Sequence, residues 1–129
     1  MNNDLKEFVQ KWIVKAEHDF ISAKTIFKYE PMILDNVCFH CQQSVEKYLK
    51  AFLIYKKQEI EKTHSVDYLL KKCAKLDKDF EKLDMENLED YAVKGRYPTD
   101  LIDPSAEKVK QYLKIVSITK KLVLSKIKL

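Results

Sequence analysis

The sequence predicts an all-α protein, and three observations lead there. Glycine occurs once and proline three times in 129 residues, which leaves little material for the tight turns that a β-rich fold consumes. Lysine, glutamate, leucine, isoleucine and alanine are plentiful, and they favour helix or tolerate it. Apolar residues recur at three- and four-residue steps along most of the chain, the spacing of one helix face. A chain of this length is expected to form one domain, residues 1–129, with a proper core.

About five helices are expected. The first runs over residues 5–29, where Leu5, Phe8, Val9, Trp12, Ala16, Phe20, Ala23 and Phe27 make one broad stripe. Asn3 or Asp4 can cap it, Glu30-Pro31 ends it, and Trp12 and the phenylalanines read most simply as core. The second runs over 34–57 with Val37, Cys38, Cys41, Val45, Tyr48, Leu49 and Phe52 inward. A short Pro-containing turn between two long helices makes them an antiparallel hairpin. After a polar connector, Thr63 or Ser65 can cap a shorter helix over 65–76. Residues 77–82 are charged and read as a loop or frayed helix. Met85, Leu88, Tyr91 and Ala92 fit a fourth helix that stops near Gly95-Arg96-Tyr97-Pro98, and 99–104 is a loop. Asp103 or Ser105 can cap the last helix, with Pro104 tolerated in its first turn. That helix extends to residue 127, with Ala106, Val109, Leu113, Val116, Val123 and Ile127 inward. Tyr112, Ile115, Ile118 and Leu122 widen its stripe, so it sits centrally or also serves a subunit interface, and a homodimer is expected.

The net charge of +4 is made of many nearly cancelling charges and does not by itself imply nucleic-acid binding. Its distribution is more telling. Residues 77–90 are mostly acidic, whereas the chain from Lys108 onward carries seven lysines and no acidic residue. A basic final helix beside an acidic connector can meet phosphate or an acidic partner. Three cysteines, an odd number, and a first segment without an apolar signal region point to a reducing cytoplasm. No apolar run approaches the length of a membrane span.

Residues 94–99, Lys94-Gly95-Arg96-Tyr97-Pro98-Thr99, hold the only glycine and the only arginine. Arginine offers a planar fork of donors that grips phosphate or carboxylate bidentately, as lysine cannot. Arg96 therefore reads either as a ligand-gripping residue or as a residue that caps a helix or pairs with a carboxylate. On the second helix, His40, Gln43, Glu46, Lys47 and Lys50 follow one another at helical spacing and form a polar ridge beside the apolar stripe. The ridge offers donors, acceptors and a titratable imidazole; the alternative is a solvated face with a Glu46–Lys50 ion pair. Cys38 and Cys41 have C-x-x-C spacing, yet they lie inside a helix with no second cluster of ligands, so they read as buried small hydrophobes rather than a zinc or redox site. His64 either faces a ligand or merely neighbours a helix cap, and His18 reads as solvated. There is no P-loop, dinucleotide fingerprint or nucleophile elbow, and no metal or cofactor is expected.

The order of these motifs resembles the HEPN domain family, named for nucleotide binding in prokaryotes and higher eukaryotes. The residues that carry the resemblance are Ala16-Glu17-His18-Asp19-Phe20-x-x-Ala23, then Cys38-Phe39-His40-Cys41-Gln42-Gln43-Ser44-Val45-Glu46-Lys47-Tyr48-Leu49-Lys50-Ala51, then Thr63-His64-Ser65, and finally Arg96-Tyr97-Pro98. It covers nearly the whole chain. The resemblance implies an up-and-down helical bundle, usually a symmetric dimer, with a role around nucleotides or RNA. Small members of this kind often partner a minimal nucleotidyltransferase, as halves of a toxin–antitoxin module or as a substrate-binding subunit. It further implies that His40, Gln43, Glu46, Lys47 and Lys50 line a polar groove that Arg96 closes, with Tyr97 and His64 as further ligand-binding candidates.

The sequence departs from the family in one respect. Its ribonuclease members carry an arginine followed after four to six residues by a histidine, and here no histidine follows His64. That absence argues against enzymatic activity, since RNA cleavage without a metal needs an imidazole to handle a proton and a guanidinium to stabilise charge on phosphorus. Three functions stay open: a nucleotide- or RNA-associated binding partner, a metal-independent ribonuclease toxin using Arg96 with His40 or His64, and a purely structural helical interaction module.

Overall fold

A computed structural model describes residues 2–92 and 103–129. The described residues are helical with no strand, in the order α1 (Asn3–Tyr29), α2 (Leu34–Tyr55), α3 (Val66–Leu76), two 3-10 turns (Lys78–Lys82 and Leu88–Tyr91) and α4 (Ala106–Lys126). The expectations for the end of the fourth helix, Gly95, Arg96, Tyr97 and most of the following loop fall on residues 93–102, outside the described residues.

α1, α3 and α4 start where a short polar side chain satisfies a free backbone N–H group, whereas α2 starts after Ile33 with no side-chain cap. The first cap is Asn2 rather than Asn3 or Asp4: its Oδ1 accepts from the Leu5 N–H at 2.7 Å. Ser65 and Ser105 cap α3 and α4, accepting from the Tyr68 and Lys108 N–H groups at 3.1 Å. α2 ends two residues earlier than expected because Lys57 turns to a φ of 59°. The expected fourth helix is reduced to the second 3-10 turn. Glu86 and Asn87 take positive φ immediately before it, which breaks the helical path between Met85 and Leu88.

α2 is the central element, packed by α1 on one side and by α3 and α4 on others. Its second half is buried nearly all round, from Tyr48 to Ile54. Small residues let α1 approach it closely: Ala16 and Ala23 are fully buried, and Ser44 Oγ donates to the Ala16 carbonyl at 2.7 Å. The Tyr48 hydroxyl donates to Glu17 at 2.6 Å, and Lys120 of α4 pairs with the same carboxylate at 2.6 Å, so one carboxylate of α1 ties three helices together. The first 3-10 turn lids the far end of the core, with the Phe80 ring centroid 4.5 Å from that of Phe52.

α4 is not the central helix. Tyr112 and Ile115 turn inward with Val109, Val116 and Val123, while Ala106 is exposed and Leu113 only partly buried. Ile115 therefore belongs to the core of its own chain, whereas Ile118 and Leu124 face outward. Part of the helix's basic charge is consumed internally. Lys126 pairs with Asp77 at 3.0 Å and with Asp79, and Lys108 with Glu86 at 3.3 Å. The acidic connector is thus a partner of the basic helix. Among the described residues no helix is long and apolar enough to cross a membrane.

Candidate functional site

The polar residues of α2 were expected to form one ridge. The structure divides them into two adjoining clusters, each built around a carboxylate and a histidine.

In the first cluster, Asp19 reaches across from α1. Its position in the helix is set by Ala16 and Ala23, three residues before and four after, which place it at the edge of the close α1–α2 contact. Asp19 Oδ1 lies 3.0 Å from His40 Nδ1, and Oδ2 accepts from the Lys47 ammonium. Burial alone would raise the Asp19 carboxyl; the hydrogen bonds from His40 and Lys47 outweigh it and hold the group below its ordinary value. An ionised carboxylate can only accept, so His40 Nδ1 carries the proton that bonds it, and the ring is oriented by that bond. The cluster offers one oriented imidazole beside one cation.

The second cluster lies between α2 and the connector that returns to α3. Glu46 is only 4% exposed, and its carboxylate takes three donors. They are Lys50 Nζ at 3.0 Å, His64 Nδ1 at 2.9 Å and Gln42 Nε2 at 3.2 Å. Gln42 also donates to the His64 carbonyl at 2.8 Å, which fixes the connector against the helix, and accepts from Gln43 at 2.7 Å. Lys50 is 6% exposed, with its ammonium 5.7 Å from the Trp12 ring centre, a cation–π contact. The His64 side chain, by contrast, is 65% exposed. Neither a solvated face nor a row of free ligand groups describes this arrangement: Glu46 and Lys50 are buried and satisfy each other, while His64 stands at the surface held from behind.

Sequence reasoning missed Asp19 and Gln42. Asp19 sits inside the run of small residues at the helix contact, a position where a solvated carboxylate is out of place, and that was the available signal. Gln42 lies three residues before Val45 and seven before Leu49, within the apolar stripe, so its burial was also marked.

The cysteines are buried as expected. Burial pushes the Cys38 and Cys73 thiols up to about 12 and raises Cys41 as well, so none is a ready thiolate. His18 is exposed. Among the described residues no group of His, Cys, Asp and Glu is placed to hold a metal ion. Arg96 and Tyr97 lie outside the described residues.

Comparison with known proteins bears on this geometry. The crystal structure of an archaeal HEPN homologue superposes on the chain with a TM-score of 0.65, covering 93% of this chain and 98% of that one at 22% sequence identity. At that identity the likeness is one of fold. No curated protein matches the sequence. The family model for the HEPN domain matches residues 9–126, nearly the whole length and both clusters. The chain belongs to the HEPN domain family.

Proposed function

We propose that this protein is a cytoplasmic HEPN-type binding protein for a nucleotide or RNA. It works as a homodimer beside a minimal nucleotidyltransferase, as a substrate-binding or toxin–antitoxin-type partner. The observation that carries the reading is the pair of histidines, His40 and His64, each held at Nδ1 by a carboxylate at 2.9–3.0 Å. His64 stands exposed and His40 is partly so, and in this scheme the second ring nitrogen of each reads a polar group of a ligand. Lys47 supplies charge next to one of them, and Gln43 extends from the other cluster as a further polar contact. In this scheme Glu46 and Lys50 act from within, fixing Gln42 and His64. Arg96 supplies the bidentate grip on phosphate, with Tyr97 beside it. The outer face of α4, with Ile118 and Leu124 exposed, meets the second copy.

The test is thermal unfolding of the parent and Arg96→Ala proteins with a panel of nucleotides and short RNAs, alongside sedimentation of the parent. A ligand that binds only the folded state adds about 2.7 kcal/mol of stability by mass action at a hundredfold excess over Kd, and so raises the midpoint. The expected result is a dimer whose midpoint rises with ligand, an effect lost in a stably folded Arg96→Ala protein. No shift with any ligand would reduce Arg96 to a structural role and favour an interaction module. Cleavage of the RNA, abolished in His40→Ala, would instead favour a ribonuclease built on the Asp19–His40 pair and Lys47.

A further inference from the structure

The outward side of α1 carries a feature that the two clusters do not use. Phe8, Lys11, Trp12 and Lys15 share one helix face and, with Lys47 of α2, line an open groove of about 270 Å³. Phe8 is 45% exposed and meets the partly buried Trp12 edge to face, with ring centroids 6.3 Å apart. Trp12 packs against the core as expected with one side open, but Phe8, expected in the core, is exposed, and the two rings together offer an aromatic surface to a partner.

The rim says what kind of partner. Every polar side chain around the groove is a lysine. Lys47 is already paired with Asp19, but among the described residues Lys11 and Lys15 have no carboxylate within ion-pair distance. A second shallow cleft of about 360 Å³, lined by Glu7, Gln10, Lys11, Val14 and Lys15, adjoins the first across the two shared lysines and adds one carboxylate, Glu7, on its far side. The two clefts lie side by side over the same two turns of α1 and form one open surface. A free mononucleotide favours an enclosed pocket that covers most of its surface. An open aromatic groove walled by lysine stems, with the ammonium groups at its edge, suits a strand, with a base against the rings and its phosphates on the cations.

We infer that this surface is a docking track for single-stranded RNA, with an unpaired base set against Phe8 and Trp12 and the neighbouring phosphates on Lys11 and Lys15. The inference rests on the RNA reading of the function and adds where the strand lies. Lys47 belongs to both the groove and the Asp19–His40 cluster, so a strand on the track passes beside that imidazole.

Trp12 is the only tryptophan in the chain and lines the groove, so its emission, read beside the Phe8→Ala variant, reports on the groove. A short single-stranded RNA is titrated into the parent protein, the Phe8→Ala variant and the Lys11→Glu/Lys15→Glu double variant. Trp12 emission, anisotropy of end-labelled RNA and circular dichroism are followed together. The expected result is quenching of Trp12 at the same midpoint as the anisotropy rise. Affinity falls about tenfold in Phe8→Ala and further in the double variant, with a weaker salt dependence in the latter. The changed residues are exposed or at the rim, so both variants should keep the parent's helical content; if either unfolds, the parent's own quenching decides the matter. RNA binding without any change in Trp12 emission, at unaltered affinity in the folded variants, would overturn the track and leave the RNA reading standing. No binding of RNA by the parent would remove both. Equal displacement by polyglutamate, or loss of the dimer in Phe8→Ala, would overturn the track by making the groove a protein contact.

Discussion

Glu46 holds Lys50, His64 and Gln42 at once from a position almost without water. Such a carboxylate differs from Glu61, whose pairing with Lys72 at 2.9 Å lies on the surface, where solvent screens it. Removing one partner of a buried pair leaves the other charge uncompensated, at a cost of about 3–5 kcal/mol. Glu46→Gln is therefore expected to lower stability by about 3 kcal/mol, roughly 10 °C in the midpoint, measured by calorimetry; a loss of only a degree or two would show that Lys50 finds water. Asp19 makes a pH prediction. Its folded-state value is depressed, with hydrogen bonds from His40 and Lys47 outweighing burial. The stabilisation is therefore complete above the unfolded value near pH 4 and lost as pH falls through the lower folded value. The midpoint of the parent should fall below about pH 4 more steeply than that of Asp19→Asn. Parallel curves would mean that Asp19 gains nothing from its partners.

At the scale of elements, the end of α2 shows both what the sequence encodes and what it hides. Lys57 takes a left-handed φ of 59°, its N–H bonds the Ile54 carbonyl at 2.8 Å, and the Gln58 N–H bonds the Leu53 carbonyl at 2.9 Å. This is a Schellman ending, normally built on glycine, in a chain whose one glycine is elsewhere. Lys57→Gly is expected to raise stability by roughly 1 kcal/mol, about 4 °C, and an unchanged or lower midpoint in a thermal melt would contradict it. Lysine carries no stop signal, so sequence reading ran α2 on to residue 57. Ser65 and Ser105 were legible as caps because a short hydroxyl precedes an apolar run. The residues around Met85 were read as a helix from their spacing, but Glu86 and Asn87 entered positive φ, which apolar periodicity does not register. The polar row on α2 was legible as a row. Whether it met water or the returning connector depended on where residues 58–65 pack, and spacing within one helix holds no such information.

For the whole molecule, helix composition and period sufficed for the fold class, and the order of motifs sufficed for the family. Charge placement needed three dimensions. The acidic connector folds onto the basic α4 through Lys108 and Lys126, while Lys11 and Lys15 on α1 keep their charge without a carboxylate partner among the described residues. Lys110, Lys114, Lys121 and Lys128 likewise stand exposed without a carboxylate partner among the described residues, so what sets α1 and α2 apart is the aromatic groove beside the oriented histidines, and the proposed ligand sits on that face. The most direct test is a two-dimensional NMR titration of the isotope-labelled protein with single-stranded RNA, observing backbone amides, histidine rings and the Trp12 indole. Shifts concentrated at His40, Lys47, His64 and Trp12 are expected. Shifts confined to the outer face of α4 around Ile118 and Leu124, or none at saturating RNA, would contradict the assignment of this face as the ligand-binding surface.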